Sequence, residues 1–337
     1  MRSSEALNAR RWRAVLVVAA FTLVGSLGLI AARVVWFDAY WIFRAHPPWL
    51  DITHGANRRI DRQTRRAKIL QAITRDYTVA LIGSSTVYHG LDPRDADPQF
   101  RGRTFNTGIS ALMADELPVV ASVVASKGRV HRAIIGLDYY MFSRRDAKIA
   151  LDADLATVTG RWTALMGSVV SWYALTDAWL SEVAGGEDPG SWTYDGFRET
   201  PKSPSALTME HDAIRRRTAA PYRPETLEAL SAGLDALGHR EIVLYLSPVS
   251  DAQRKVLADG GLLQDFARWR GDIAALAKHR GVSLLDLAGL GAAFPFDPAQ
   301  GSNDYWLDNL HYTPAIGRLV LQKVGLRSAR WEAGSMQ

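Results

Sequence analysis

A run of nineteen uncharged residues close to the amino terminus, Ala14 to Ala32, constrains this chain more than any other feature of its sequence. As a helix, a run of that length can cross the hydrocarbon core of a bilayer. Arginines at positions 10, 11 and 13 precede it, and this excess of positive charge predicts a cytoplasmic amino terminus. The aromatic residues that follow predict a belt at the opposite membrane interface; they are Trp36, Phe37, Tyr40, Trp41 and Phe43. We therefore expect most of the chain to lie outside the cytoplasm, held to the cytoplasmic (inner) membrane by a single pass and facing the periplasm or cell exterior.

Two other interpretations of this run are a cleaved signal peptide and a buried core helix. A signal peptide has a shorter apolar region, roughly 7–15 residues, and a cleavage site flanked by small residues, which this sequence lacks. A core helix is not expected between a basic flank and a cluster of aromatic residues. The sequence thus favours a retained anchor. It divides the chain into residues 1–43 with the anchor, residues 44–77 with a basic juxtamembrane helix, and a main domain of residues 78–330.

The composition narrows the chemistry that the main domain can perform. A chain of 337 residues can form one large domain with a sizeable insertion. It contains no cysteine, which excludes disulfides, thiolate metal sites and a cysteine nucleophile, and which fits an oxidising compartment. The histidines show no metal-ligand spacing, so we expect no metal and no cofactor. Despite the net charge of +5, we expect no nucleic-acid partner for a domain outside the cytoplasm.

A strongly basic stretch follows the anchor, from Arg58 to Lys68 and on to about Arg75. We interpret it as the solvated face of a helix. Contact with anionic lipid head groups or a polyanionic glycan is the alternative.

From Thr78 onward, short apolar strands alternate with helices. The predicted strands are Val79–Ile82, Arg103–Phe105, Ala133–Leu137, Glu241–Leu246 and Val282–Leu285. The predicted helices are Ala114–Ser126, Pro224–Leu237, Ala252–Leu257, Leu263–Lys278 and Pro314–Val324. This alternation predicts an α/β fold, with a mostly parallel sheet covered by helices on both faces. In such sheets ligands bind beyond the carboxyl ends of the strands.

Residues 143–224 are too many for a plain crossover and indicate an insertion. Its part from Ala156 to Val183 looks helical and carries Trp162, Trp172, Tyr173 and Trp179. Its part from Gly185 to Ser205 is rich in Gly, Pro, Ser and Asp and predicts an ordered loop around Trp192, Tyr194 and Phe197. We expect these aromatic residues to pack the insertion onto the sheet; a lid or a sugar-stacking wall is the alternative.

The first predicted strand runs directly into Gly83, Ser84 and Ser85. A serine at that corner lies at the mouth of the sheet, near the positive end of a helix, which suits a nucleophile. The simpler alternative is that Ser84 or Ser85 only caps the following helix.

Near the carboxyl end, Thr313 and Pro314 mark the start of the last helix, as cap and first helical residue. Asp308 and His311 therefore lie in the preceding turn, three residues apart. A carboxylate at that spacing can reach the imidazole, fix its tautomer and stabilise the imidazolium. Together with a serine at the strand corner, this pair predicts a nucleophile, a base and an orienting group. We interpret His89, which has no carboxylate at such a spacing, as a loop histidine.

These blocks resemble the SGNH/GDSL hydrolase superfamily. The matching residues are Gly83-Ser-Ser85, Asn106-Thr-Gly-Ile-Ser-Ala111 and Asp308-Asn-Leu-His311, and the resemblance runs from about Thr78 to Val324 with the insertion unmatched. It implies a three-layer, flavodoxin-like α/β fold with Ser85 as nucleophile, His311 as base and Asp308 as its partner. It also implies oxyanion or substrate-binding roles for Gly108, Ala111 and Asp138. Ser247 follows the fourth predicted strand and should line the same crevice by its position.

The chain departs from the pattern of this family at two positions. Ala111 stands where the family has glycine; its N–H can serve the oxyanion if the backbone is not left-handed. Asp138 stands where the family has asparagine, and an ionised aspartate can only accept hydrogen bonds. The loss of one oxyanion donor costs about 3 kcal/mol of transition-state stabilisation.

The expected function is that of a membrane-anchored extracytoplasmic serine esterase or O-acyltransferase. By its architecture the chain is similar to the SGNH-like proteins of cell-envelope polymer modification, such as those of alginate O-acetylation and teichoic acid D-alanylation. That similarity implies an acylated, chiefly O-acetylated, glycan as substrate and a multi-pass membrane acyltransferase as partner, besides the lipid bilayer. The alternative is a non-catalytic protein that binds polysaccharide or scaffolds such an acyltransferase. A purely structural envelope protein would give no reason for the spacing of Asp308 and His311.

Overall fold

The computed structural model describes residues 2–52, 59–143, 150–183, 191–201 and 218–328. The strands in these ranges are β1 Val79–Ile82, β2 Thr104–Asn106, β3 Arg132–Leu137, β4 Ser191–Trp192, β5 Arg198–Glu199, β6 Glu241–Leu246 and β7 Ser283–Asp286. Five of them form one sheet in the order β2-β1-β3-β6-β7, and every neighbouring pair in it is parallel. The remaining pair, β4 and β5, forms an antiparallel hairpin.

The predicted α/β class and parallel sheet are confirmed. β1 and β6 have the predicted bounds, β3 begins one residue earlier than predicted, and β2 and β7 are each shifted by one residue toward the carboxyl end. The segment predicted as an ordered loop contains the β4–β5 hairpin instead, closed by a hydrogen bond of 2.8 Å from Thr193 N–H to the carbonyl of Phe197. Strands of two residues are too short for side-chain alternation to reveal. Parts of that loop and of the predicted insertion, residues 144–149, 184–190 and 202–217, lie outside the described residues.

Helices cover both faces of the sheet. They are α1 Arg2–Phe37, α2 Pro48–Ile52, α3 Arg59–Arg62, α4 Thr64–Thr74, α5 Ser85–Gly90, α6 Leu117–Ala125, α7 Val158–Val169, α8 Trp172–Val183, α9 Leu227–Leu237, α10 Asp251–Asp259, α11 Leu263–Arg280 and α12 Pro314–Lys323. Side chains of β1 alternate between two hydrophobic cores. Ala80 and Ile82 join the core under α4, α6, α9 and α11, whereas Val79 and Leu81 join the core under α5 and α12. Both faces are thus buried, as is usual for parallel sheets.

The uncharged run lies within α1. Among the described residues, α1 contains the one segment long and apolar enough to cross a membrane, the 28 residues Arg10–Phe37, in which a window of 18 residues has a mean hydropathy of 2.5. That length and composition fit a single-pass anchor or a signal sequence. Side chains from Arg10 to Leu29 are exposed, while Ile30 and Val34 are partly or fully covered by the rest of the protein. Only the last two turns of α1 therefore contact the domain.

The chain turns back sharply where α1 ends. Asp38 has a φ of 45°, and its carboxylate accepts hydrogen bonds of 2.6–2.7 Å from the N–H groups of the residues four to six positions on. The turn brings Phe37, Tyr40 and Trp41 into contact with the domain, where all three are buried. The predicted aromatic belt is therefore wrong for these residues, and of that group only Trp36 is largely exposed, at 58%.

A hydrophobic cluster separates the end of α1 from the sheet, and we call it the juxtamembrane cluster. It includes Val34, Trp41, Trp49, Leu70, Tyr88, Ala174 and Trp192. Helix α4 lies between this cluster and the sheet, because Leu70 faces the cluster while Ile69 faces the sheet core.

The basic stretch is not a solvated face, and that prediction is wrong. Lys68 on α4 is fully buried, with its Nζ donating to the carbonyls of Asn106 and Gly196. Burial lowers the pKa of Lys68 well below its usual value. Arg75, also buried, stacks on Tyr194 with 3.5 Å between guanidinium carbon and ring centroid. The prediction failed because both faces of α4 are covered, which the sequence of α4 alone does not reveal.

Helices α7 and α8 form the described helical part of the predicted insertion. Their large aromatic side chains, Trp162, Trp172, Tyr173 and Trp179, are between 54% and 72% exposed. The prediction that these residues pack the insertion onto the sheet is therefore wrong. The sides of α7 and α8 that are covered pack instead on α1 and the juxtamembrane cluster, through Ala164, Leu165, Ala174 and Leu175.

Candidate active site

The turn after β1 gives the two adjacent serines, Ser84 and Ser85, different roles. Gly83 is required there, because a Cβ would lie 2.4 Å from Val87 and 2.9 Å from the carbonyl oxygen of Gly136. Ser84 is the cap of α5, with its Oγ accepting from the N–H of Thr86 at 3.2 Å. Ser85 is the first residue of α5, so its hydroxyl is not used as the cap.

The turn before α12 positions Asp308 and His311. One carboxylate oxygen of Asp308 accepts from the backbone N–H groups of Leu310 and His311, at 2.7 and 2.8 Å. The other lies 2.5 Å from His311 Nδ1. Thr313 caps α12 by accepting from Ala315 N–H at 3.2 Å, as its sequence predicts. The aspartate therefore shapes the turn and orients the imidazole at once.

The structure brings the two ends of the domain together at this point. His311 Nε2 lies 2.7 Å from Ser85 Oγ, across 226 residues of chain. The serine is 8% exposed and the side chain of His311 14%, so the pair lies just below the protein surface. The contact forms a continuous line of hydrogen-bonding groups from Ser85 through His311 to Asp308.

The electrostatics of the pair favour an ionised aspartate. Burial alone would raise the pKa of Asp308, but the charge of His311 and its hydrogen bonds hold that pKa below its usual value. An ionised Asp308 favours the tautomer of His311 that carries its proton on Nδ1. In that tautomer Nε2 is free to accept the hydroxyl proton of Ser85.

His89 lies on α5, not in a loop as the sequence suggested. Its ring meets that of His311 edge-on with 4.9 Å between centroids, and its Nδ1 lies 2.9 Å from the hydroxyl of Thr200. Burial and the neighbouring His311 lower the pKa of His89 well below its usual value. A neutral His89 can pack against His311 without opposing its protonation.

The loop after β2 holds Gly108 and Ala111. The N–H of Gly108 donates to the side-chain oxygen of Asn106 at 2.9 Å, so it is already occupied. Ala111 has a left-handed φ of 50°, the conformation in which an alanine is strained. The condition under which its N–H could serve the oxyanion, a backbone that is not left-handed, is therefore not met.

Asp138, at the end of β3, faces the cap of α5. Its carboxylate accepts from Ser84 and from the hydroxyl of Thr86 at 2.9 Å. Burial raises the pKa of Asp138, and the hydrogen bonds from the hydroxyls of Ser84 and Thr86, with the hydroxyl of Ser247 close by, oppose that rise. Ser247 thus lies beside Asp138, although its hydroxyl is not aligned for a well-formed hydrogen bond with any described residue.

No protein-family model matches this chain, and no curated protein matches its sequence. Among the described residues, no three His, Asp or Glu side chains are grouped as metal ligands.

Tyr140 is a site residue that the sequence analysis missed. It lies just beyond β3, in a helical turn, and is 5% exposed. Its hydroxyl lies beside those of Ser84 and Ser85, yet it makes no aligned hydrogen bond within the described part of the chain. A cavity of about 20 Å³ next to it is also lined by Asp138, Ser247 and Asn309. The position of Tyr140 two residues after Asp138, at the carboxyl end of a central strand, was the signal that could have identified it.

Proposed function

We propose that this protein is a membrane-anchored, extracytoplasmic serine esterase or O-acyltransferase that acts on acylated, chiefly O-acetylated, glycans of the cell envelope. The observation that carries the proposal is the line of contacts from Ser85 Oγ to His311 Nε2, 2.7 Å, and from His311 Nδ1 to Asp308, 2.5 Å. These are the distances at which a nucleophile, a base and an orienting group work together.

The order of the main sheet supports the resemblance to the SGNH/GDSL hydrolases. Counted in chain order without the β4–β5 hairpin, its five strands lie in the order 2-1-3-4-5, which is that of flavodoxin-like doubly wound sheets. Ser85 follows the first of these strands and so lies beside the crevice where such folds bind ligands.

The first half of the proposed reaction transfers the acyl group to the protein. Ser85 Oγ bonds to the carbonyl carbon of the ester while His311 Nε2 takes the hydroxyl proton, and Asp308 stabilises the resulting imidazolium. The tetrahedral intermediate then breaks its bond to the leaving sugar oxygen, which receives the proton from His311. An acyl-serine and a free sugar hydroxyl remain.

The second half releases the acyl group. His311 takes a proton from the attacking water or sugar hydroxyl, whose oxygen bonds to the acyl carbon, and then returns that proton to Ser85 as the bond to the serine breaks. Water gives a carboxylic acid, which is hydrolysis. A sugar hydroxyl gives a new ester, which is transfer, and a multi-pass membrane acyltransferase is the partner we propose for that route.

Two donors are assigned to the oxyanion of the tetrahedral intermediate. Ser85 N–H belongs to the first turn of α5, where amides have no acceptor within the helix. The hydroxyl of Tyr140, buried beside Ser85, takes the place of the side-chain amide that Asp138 lacks.

The proposal is tested by the hydrolysis of an aryl acetate by the full-length protein in detergent. Ser85→Ala should abolish hydrolysis above the background of the buffer, because the nucleophile is lost. Ser122→Ala is the matched control, since Ser122 lies on α6 and its hydroxyl donates to the carbonyl of Pro118, one turn earlier; it should keep full activity. Full activity in Ser85→Ala would refute the serine mechanism.

The limited exposure of Ser85, 8%, favours one second candidate. A non-catalytic protein that binds polysaccharide or scaffolds an acyltransferase would not need an accessible serine. This candidate predicts glycan binding or complex formation that persists in Ser85→Ala, together with no ester hydrolysis by the unmutated protein.

A further inference from the structure

Helices α7 and α8 carry six large apolar side chains that are more than half exposed within the described chain. On α7, Val158, Trp162 and Met166 recur every four residues and are 58–63% exposed. On α8, Trp172, Tyr173 and Trp179 are 54–72% exposed. We call these six residues the aromatic face. Large apolar side chains grouped in this way on a protein surface usually mark a membrane or an interaction site.

The level of the aromatic face along α1 favours a membrane contact over a protein-interaction site. The apolar run begins at Ala14, and about 20 helical residues cross a hydrocarbon core about 30 Å thick. The core therefore ends near Arg33. Helices α7 and α8 pack on α1 at this level, since Ile30 and Val34 share the juxtamembrane cluster with Leu165 and Ala174. The same level is marked by exposed Trp36, which lies 4.3 Å from the guanidinium of Arg44.

The residue types of the aromatic face fit the boundary between lipid and water. Tryptophan and tyrosine are enriched at that boundary because each has an apolar body and a polar group. Among the described side chains of α7 and α8, two carry charge. Asp177 is buried and paired with Arg62 at 3.0 Å. Arg161 donates to the backbone carbonyls of Leu155 and Ala156, in the turn before α7. No described acidic side chain on α7 or α8 is thus turned toward anionic lipid.

We propose that the aromatic face lies in the outer interface of the bilayer that α1 spans, giving the protein a second, in-plane membrane contact. The inference rests on the proposed anchor but not on the proposed chemistry. A single helix leaves the domain free to tilt, whereas a second contact fixes its orientation. Tyr88, three residues after Ser85, belongs to the juxtamembrane cluster, so the fixed orientation also keeps the candidate active site close to the membrane surface.

Because the natural chain has no cysteine, single cysteines can report on each position in the full-length protein. We would place an NBD fluorophore on Trp162→Cys, Trp172→Cys and Trp179→Cys, in liposomes of phosphatidylethanolamine and phosphatidylglycerol. Leu23→Cys on α1, 61% exposed, is the lipid control, and Leu263→Cys at the start of α11, 45% exposed, is the aqueous control. Each label is then quenched either by nitroxide lipid or by iodide present on both sides of the membrane.

We expect nitroxide lipid to quench the three labels on the aromatic face several-fold more strongly than the label at Leu263→Cys, and iodide to quench them several-fold more weakly. Iodide quenching equal to that at Leu263→Cys would show a solvated face and overturn the proposal. Protection from both quenchers, in liposomes or in native membrane vesicles, would show that a second copy or another protein covers the face, and would overturn it too.

The same labelled variants distinguish a failure of the proposed anchor, or of the proposed chemistry, from a failure of this inference. If the label at Leu23→Cys is not quenched by lipid, the anchor is wrong and the inference falls with it. Loss of ester hydrolysis in any labelled variant, with the quenching pattern unchanged, concerns the active site alone.

Discussion

Two adjacent serines at the end of β1 take the two roles that the sequence left open between them. Ser84 is fully buried, caps α5 and bonds to Asp138. Ser85, one residue on, turns its hydroxyl to His311. Asp138 thereby accepts hydrogen bonds from the residues that cap α5, and the hydroxyl of Tyr140, two residues further on, faces Ser85 instead.

Tyr140→Phe should lower kcat about a hundredfold or more, the usual cost of one oxyanion donor, with little change in KM. The change removes one hydroxyl and keeps the buried ring. Tyr139→Phe is the matched control, because the Tyr139 hydroxyl donates to the carbonyl of Ala220 at 3.0 Å; its kcat should stay within a few-fold of that of the unmutated protein. Equal kcat values for the two variants would exclude Tyr140 as an oxyanion donor.

Because His89 is buried, the folded protein should be less stable in mild acid than at neutral pH. Burial lowers the pKa of His89 well below its usual value, so the unfolded chain takes up a proton below about pH 6.5 that the folded protein refuses. This extra protonation of the unfolded chain lowers the free energy of unfolding as the pH falls, by at most about 1.4 kcal/mol per pH unit. Thermal unfolding between pH 7.5 and 5 should show a shallower loss of Tm for His89→Gln than for the unmutated protein. His239→Gln, on an exposed turn, should keep the original slope.

At the scale of elements, the loop after β2 supports the serine corner by close packing. A Cβ on Gly108 would lie 2.9 Å from the carbonyl oxygen of Ser84 and 2.9 Å from the amide nitrogen of Tyr88. The neighbouring Asn106 donates its side-chain amide to the carbonyls of Val87 and Leu91, at 2.9 and 2.8 Å. The segment of residues 106–111 therefore holds α5 in place through contacts with the backbone of α5 and its flanking residues.

Gly108→Ala should destabilise the fold by about 1–3 kcal/mol, since overpacking against backbone cannot be relieved by a rotamer change. It should also lower ester hydrolysis, because Ser84 and the start of α5 must shift. Denaturant unfolding measures the first effect. Gly128→Ala, where nothing lies within 4 Å of the added Cβ, should leave both quantities near their original values, and a similar loss in both variants would contradict this role of Gly108.

The sequence predicted those elements whose signal is local. The strands β1 and β6 are apolar runs bounded by turns, and the cap at Thr313 and the turn at Asp308 depend on neighbours within three residues. The burial of Lys68 and Arg75, and the exposure of Trp162 and Trp172, depend instead on where α1 and the β4–β5 hairpin lie. Those contacts join residues that are distant along the chain, so no periodicity in α4, α7 or α8 could reveal them.

At the scale of the whole molecule, packed side chains connect α1 to the candidate active site. Val34 of α1 belongs to the juxtamembrane cluster, as do Trp192 and Tyr88. The rings of Tyr88 and Trp192 lie 5.1 Å apart, and Tyr88 is part of α5, which begins with Ser85. With α1 in the membrane, as we propose, a substrate carried by the envelope or the membrane would meet the site close to the lipid surface.

The topology that this arrangement requires can be tested with the same single-cysteine approach. A membrane-impermeant maleimide applied to spheroplasts should label Leu263→Cys directly, and Asn8→Cys only after the membrane is opened. The full-length mass of the purified protein should show that α1 is retained. Labelling in the opposite order, or a chain shortened after α1, would contradict a retained anchor with an outward domain.

The central claim is that the hydroxyl of Ser85 is a nucleophile activated by His311, and the mass of the protein after exposure to a fluorophosphonate tests it most directly. We predict one adduct per chain, located by peptide mass spectrometry at Ser85, that forms far more slowly in His311→Ala and persists in Ser122→Ala. An unmutated protein that forms no adduct, or one that carries it on another residue, would contradict the claim.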